Sequence, residues 1–260
     1  MIIKLTRLLL ATLIIGLAAC SSTPDKRQPD ESRLKRASRY NVDLGVAYMQ
    51  ENQLDTAAVK LKKALEQDPD SARAHDAIAV LYGKIDENEL AEKHFSKSLR
   101  LEPDNSRTHN NYGDFLCRNG EYDRAEKEFM TAAGNPLYPG RVMALTNAGV
   151  CANEIPDGEK AEQYFRRALE VDPNYTPALL HMVRTTYEQG NYLSARGYLQ
   201  RFEAIAPYSA ESLWLGVRIE QALGDRDASA RYALLLRNNF PDTAQAKDLQ
   251  EWENERRTRH

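Results

Sequence analysis

The chain has 260 residues, of which 42% are hydrophobic and 28% charged, and its formal net charge is −3. That balance excludes a chain that is disordered or membrane-embedded overall, and the small negative charge excludes a global basic field that would attract nucleic acid. The 13 glycines and 11 prolines are spread along the sequence as punctuation instead of being pooled in a linker, which is the distribution expected of internal repeats.

Residues 1–19 have the parts of an export signal: Lys4 and Arg7, then the apolar run Leu8 to Leu17, then small residues. The run is shorter than the roughly 20 apolar residues a membrane-spanning helix needs. Leu17-Ala18-Ala19-Cys20 resembles the bacterial lipoprotein signal at all four positions. The resemblance implies cleavage before Cys20, which then carries a diacylglyceryl thioether and an acylated amine, with acyl chains such as palmitate. Three chains exceed what stable anchoring requires. The alternative is an ordinary cleaved signal that happens to contain a cysteine. Ser21 stands where an Asp would favour inner-membrane retention, so the resemblance places the protein in the outer membrane, lipid-anchored and facing the periplasm. Residues 20–37, rich in Ser, Pro, Asp, Lys and Arg, cannot bury enough apolar surface to order themselves and are expected to form a flexible tether.

An array follows. Pro69 and Pro103 are 34 residues apart, as are Pro173, Pro207 and Pro241, and Pro103 to Pro173 is two periods plus two residues. A 34-residue helix–turn–helix period is the tetratricopeptide (TPR) signature. With residue 38 as position 1, position 8 reads Gly45, Ala79, Gly113, Gly149, Val183 and Val217, and position 24 reads Leu61, Phe95, Phe129, Phe165, Leu199 and Ala233. Position 20 is Ala in five repeats and Ser229 in the sixth. Small residues at 8 and 20 suit the closest approach of the two helices of a hairpin. The proline at position 32 ends the second helix, because it lacks an N–H and biases the preceding residue away from helix. The fold is therefore expected to be all-α, a TPR superhelix (α-solenoid) of six repeats over residues 38–243. Residues 244–260 are expected to form a capping helix and tail covering the last apolar face. Repeat three has Leu137 where the proline belongs, between Pro136 and Pro139, so a longer connection is expected there.

No phosphate-binding loop, HExxH or CxxC spacing is present, so no catalytic residue, metal ligand or cofactor is assigned. An enzyme would need a site that spacing rules do not reveal. His75 and His109 fall at position 4 of their repeats, a packing position, while His94 is expected to be exposed. Cys117 and Cys151 lie on the first helices of adjacent repeats three and four. They are read either as two small buried hydrophobes or as a disulfide clamping that junction, and an oxidising compartment favours the disulfide. TPR geometry puts positions 2, 5, 9, 12 and 13 of the first helices on the concave groove. That set includes Arg39, Val42, Val46 and Met49 of repeat one, Arg73, Asp76 and Val80 of repeat two, and Arg107, Asn110, Asp114 and Cys117 of repeat three. Val42, Val46, Met49 and Val80 are expected to form an apolar stripe rimmed by arginines, suited to an amphipathic helix or extended peptide, unless the N-terminal segment folds over it. Val42 and Val46 stand where chaperone-binding TPRs carry Lys and Asn, which argues against capture of a C-terminal carboxylate.

Three stretches narrow the family. NNYGDFLC (110–117), LYPGR (137–141) and NAGVC (147–151) resemble the type IV pilus biogenesis lipoproteins of the PilF/PilW type over essentially the whole mature chain. The resemblance implies an outer-membrane pilotin that binds the secretin subunit of the pilus machinery and promotes its localisation or multimerisation, with no nucleic acid and no small-molecule substrate. A second reading is a periplasmic TPR lipoprotein that scaffolds outer-membrane protein assembly or peptidoglycan hydrolases. Repeat one, nearest the tether and most apolar on its concave positions, is expected to do most of the recognition.

Overall fold

The computed structural model describes residues 31–155 and 158–258. Among these residues there are thirteen α-helices and no strand. They form six antiparallel hairpins: α1 (Glu31–Gln50) with α2 (Leu54–Gln67), α3 (Ala72–Lys84) with α4 (Asn88–Leu101), α5 (Ser106–Arg118) with α6 (Tyr122–Gly134), α7 (Arg141–Asn153) with α8 (Gly158–Val171), α9 (Thr176–Glu188) with α10 (Tyr192–Glu203), and α11 (Ala210–Ala222) with α12 (Arg226–Asn239). The last helix, α13 (Ala244–Thr258), buries Ala246 and Leu249 against Leu213, Val217, Ala233 and Leu236 of repeat six. The export signal, Cys20 and the first part of the tether lie outside the described residues.

Hairpins three and four are each held by a size match. A methyl group placed on Gly149 would come within 2.5 Å of the Phe165 ring, and one on Gly113 within 2.8 Å of the Phe129 ring. The small residue at position 8 thus makes room for the large residue at position 24, and both aromatic rings are fully buried. In repeat six the sizes reverse, with Val217 opposite Ala233, both buried. Position 20 is the second close contact, where Ser229 donates from Oγ to the Val217 carbonyl at 3.1 Å.

The turns inside five of the hairpins, those of repeats one, two, three, five and six, carry a left-handed residue at position 15. Asn52 (φ 58°) and Asp86 (φ 60°) fill it in repeats one and two, and Gly120 and Gly190 (φ 77° and 78°) in repeats three and five. Asn, Asp and Gly are the residues that reach this region at least cost. The connections between hairpins are capped from their own sequence: the side chains of Ser71 and Asn105 accept from the backbone N–H groups of Ala74 and Thr108, the expected N-cap pattern. The α6–α7 connection is longer than those before α3, α5 and α9, as the irregular prolines predict. It is pinned at three points. Asn135 donates to Ser106 Oγ at 3.0 Å, Asn135 Oδ1 accepts from the Leu137 N–H at 3.0 Å, and Arg141 donates to the Ala133 carbonyl at 2.9 Å.

Two expectations are corrected by the helices themselves. The tether does not extend to residue 37, because α1 begins at Glu31. Residues 31–37 continue the helix that buries Ser38 and Asn41, supported by an i,i+4 contact between Glu31 and Lys35 at 2.6 Å and by Asn41, which donates to the Ala37 carbonyl and to Gln67. The apolar stripe of repeat one is mostly core. Val42 is 1% exposed and Met49 8%, and they cluster with Leu61, Ala74, Ala77 and Ile78. In repeats one to three position 5 is a seam between successive first helices, not a groove position. Its buried side chain meets position 6 of the next repeat: Asn111 donates to Asp76 and Asn147 to Asn110, each at 3.1 Å.

Candidate partner-binding face

The first helices of the hairpins present the face that lines the concave side of such a superhelix. On it Arg39, Arg73, Arg107 and Asp114 are exposed, Val46, Val80 and Cys117 are half-buried, and Asp76 and Asn110 are buried. The predicted residues therefore divide. The position-2 arginines and Asp114 are available to a partner, whereas Val42, Met49, Asp76 and Asn110 hold the array together.

On this face a cleft of about 650 Å³ lies between α3, α5 and the α6–α7 connection, with Arg73, Asp76, Arg107, Leu137 and Tyr138 among its lining residues. Arg73 is ion-paired with Asp43. The Arg107 side chain makes no ion pair or hydrogen bond among the described residues. Leu137 is 88% exposed although its backbone is fixed by Asn135. Tyr138 is half-buried and lies over Gly140, where a methyl group would collide with the ring at 2.5 Å. An unpaired guanidinium beside a rigidly presented leucine and tyrosine is a surface for a protein segment with both acidic and apolar side chains. Leu137 and Tyr138 stand in a stretch that reads only as a family motif and an irregular connection. Their part in the cleft depends on a fold-back that no helical periodicity encodes.

At the other end of α5 from the cleft, Cys117 and Cys151 are disulfide-bonded, with Cα atoms 5.8 Å apart and a sequence separation of 34. The bond ties α5 to α7 across the long connection. The histidines are structural. His75 and His109 each hold, from Nε2, the carbonyl of the proline that ends the preceding repeat, Pro69 at 3.0 Å and Pro103 at 2.8 Å. His94 is not exposed as expected. It is half-buried with its Nδ1 2.8 Å from that of His75, and burial lowers both pKa values, that of His94 to about 4. Both rings are neutral at pH 7, one Nδ1 donating and the other accepting.

Asp76 is the exceptional titrating group. Burial raises its pKa from 3.8 to about 6, against the hydrogen bond from Asn111 and the charge of Arg107, which lower it. A folded-state pKa above the unfolded one gives a contribution that is complete below the unfolded value and is lost as pH rises through the folded value. Above about pH 6 the native state therefore carries an ionised, buried carboxylate. Asp76→Asn keeps an oxygen that can accept from Asn111 and removes that cost. The variant is expected to match the wild type near pH 4 and to become more stable than it by up to about 3 kcal/mol above pH 6. Urea unfolding of both proteins across this range checks it, and a difference independent of pH would contradict the assignment.

This geometry defines an α-solenoid of the tetratricopeptide-repeat class. Models described as "TPR repeat" and "Tetratricopeptide repeat" match residues 45–86, 72–105, 94–127 and 119–178. The chain is 32% identical over 240 residues to the type IV pilus assembly protein PilF of Pseudomonas aeruginosa, covering 92% of this chain and 95% of that protein, and it belongs to the PilF family. The structure of Pseudomonas aeruginosa PilF superposes with a TM-score of 0.73 at 33% identity, over 85% of this chain and 99% of that one. That of PilW, a widely conserved type IV pilus biogenesis factor, also superposes with a TM-score of 0.73, at 29% identity over 82% and 98%. YrrB, a TPR protein with an unusual peptide-binding site, shares the fold alone, with a TM-score of 0.56 at 18% identity over 74% and 97%.

Proposed function

We propose that this protein is an adaptor for type IV pilus assembly, anchored in the outer membrane through lipidated Cys20, that captures the secretin subunit on its concave face and promotes its localisation and multimerisation. The observation that carries the reading is the similarity to PilF over 92% of the chain, which includes the segments building the cleft. The physical logic is effective concentration. A lipid anchor confines the cleft to the membrane surface where the partner must assemble, so a modest intrinsic affinity suffices. Membership of a scaffold-like repeat class and the absence of a recognisable catalytic arrangement support a non-enzymatic role. The capture site we assign is the cleft of Arg73, Arg107, Leu137 and Tyr138.

Purified secretin subunit is titrated onto the immobilised mature chain. Arg107→Asp and Tyr138→Ala are each expected to weaken capture about tenfold or more, as truncation of a central interface residue does. Val59→Asp, on the exposed side of α2, is expected to leave it unchanged. Equal capture by all three variants would sink the cleft assignment, and no capture by the unsubstituted chain would sink the secretin reading.

A further inference from the structure

A second feature of the concave side lies at the opposite end of the array. On α9, α11 and α13 aromatic and arginine side chains alternate in one continuous stack. The Arg218 guanidinium lies 4.5 Å from the centre of the Tyr187 ring and 5.9 Å from that of Trp214. Trp214 meets Trp252 edge-on at 6.3 Å, and Arg256 covers Trp252 at 4.7 Å. All five side chains are half-buried. A cleft of about 340 Å³, with Arg226, Trp252 and Arg256 among its lining residues, adjoins the stack.

Neither Arg218 nor Arg256 makes an ion pair or side-chain hydrogen bond among the described residues. Three carboxylates on these helices pair elsewhere: Glu211 with Arg184, Glu220 with Arg196, and Glu253 with Arg237 at 2.8 Å. The two guanidiniums of the stack are in direct contact with rings and not with a carboxylate among the described residues. A guanidinium lying on a ring face keeps its N–H edge outward and pre-oriented, the geometry that takes a carboxylate in a two-pronged hydrogen bond. The aromatic faces between the two arginines offer apolar contact at small entropic cost.

We propose that the concave face of repeats five and six, closed by α13, is a docking site for an extended peptide segment in which acidic and apolar side chains alternate. Carboxylates engage Arg218 and Arg256, and an apolar side chain packs on Trp214. A flat bilayer cannot follow a concave, half-buried stack, which argues for a polypeptide over an anionic lipid surface. The site lies outside the cleft assigned to the secretin and does not depend on that reading. Loss of secretin capture would leave it intact, and its own failure would leave secretin capture intact.

Trp214 and Trp252 are the two tryptophans of the chain, so its intrinsic fluorescence reports on this site directly. The full mature chain is titrated with a Trp-free synthetic peptide of alternating Asp and Leu. A saturable change in tryptophan emission is expected, weakening as salt is raised. Arg218→Gln and Arg256→Gln are each expected to weaken binding about tenfold or more, the usual effect of losing a charge-assisted hydrogen bond. Arg218→Lys, which keeps the charge but not the fork, is expected to fall between, and Arg73→Gln in the distant cleft to change nothing. Circular dichroism establishes that the variants remain helical. No saturable response would overturn the proposal, as would an equal response to the peptide with Lys in place of Asp, or full affinity in the Arg218→Gln, Arg256→Gln double variant. A response to phosphatidylglycerol vesicles but not to the peptide would assign the face to lipid and overturn it as well.

Discussion

Replacing Phe165 with Ala is expected to lower the stability of the mature chain by about 3–5 kcal/mol, the cost of removing a fully buried aromatic ring. Phe165 is a fully buried wedge that touches two repeats. On one side it occupies the space that Gly149 leaves open, with a hypothetical methyl on that glycine only 2.5 Å from the ring. On the other it stacks on the His181 ring of the next repeat at 4.9 Å, nearly parallel. One side chain therefore closes the α7–α8 hairpin and also couples repeat four to repeat five. In a solenoid, stability is approximately a sum of repeat terms and nearest-neighbour interface terms, and this substitution strikes both. Approaching the same contact from the other side, Gly149→Val is expected to cost about 1–3 kcal/mol through overpacking. Guanidinium unfolding followed by circular dichroism measures both. A loss below about 1 kcal/mol for Phe165→Ala would mean that the junction relaxes around the missing ring and is not the joint described here.

Removing the Cys117–Cys151 bond, by reduction or by the double Ala replacement, is expected to cost about 3–4 kcal/mol. That magnitude follows from releasing a loop of this length in the unfolded chain; the separation is 34 residues. The bond connects first helices that are already neighbours. Its local role is to hold together the C-terminal ends of α5 and α7, the ends away from the α6–α7 connection. Reduction should therefore loosen the junction of repeats three and four before it unfolds the array, while the Tyr187–Arg218–Trp214 stack keeps its fluorescence. Unfolding curves with and without dithiothreitol test the stability part, and identical midpoints would contradict it.

The array was legible in the sequence because its signals are periodic and local. Prolines at position 32, small residues at 8 and 20 and large ones at 24 each report a contact that recurs at a fixed spacing. The groove was legible only in part. Helical period assigns a residue to a face, but Val42 and Asp76 lie on the border between the concave surface and the seam joining adjacent first helices. Which side of that border they fall on is decided by the neighbouring helix, as when Asn111 covers Asp76. The family motif drew attention to Leu137 and Tyr138, yet their exposure and placement come from three hydrogen bonds that no spacing rule anticipates. The apolar stripe expected of repeat one shrinks for the same reason, since Val42 and Met49 are taken up by its own core and Val46 alone of the three stays half-buried.

The central role proposed for this protein is support of secretin assembly. The direct measurement is the amount of heat-sensitive secretin multimer on an unboiled gel. It is compared between the parent strain, a strain lacking this gene, and strains complemented with the wild-type chain, the Cys20→Ala chain or the Arg107→Asp, Tyr138→Ala chain. Multimers should be lost on deletion, restored by the wild-type chain, and poorly restored when either the anchor or the cleft is altered. Undiminished multimers in the deletion strain would contradict the account.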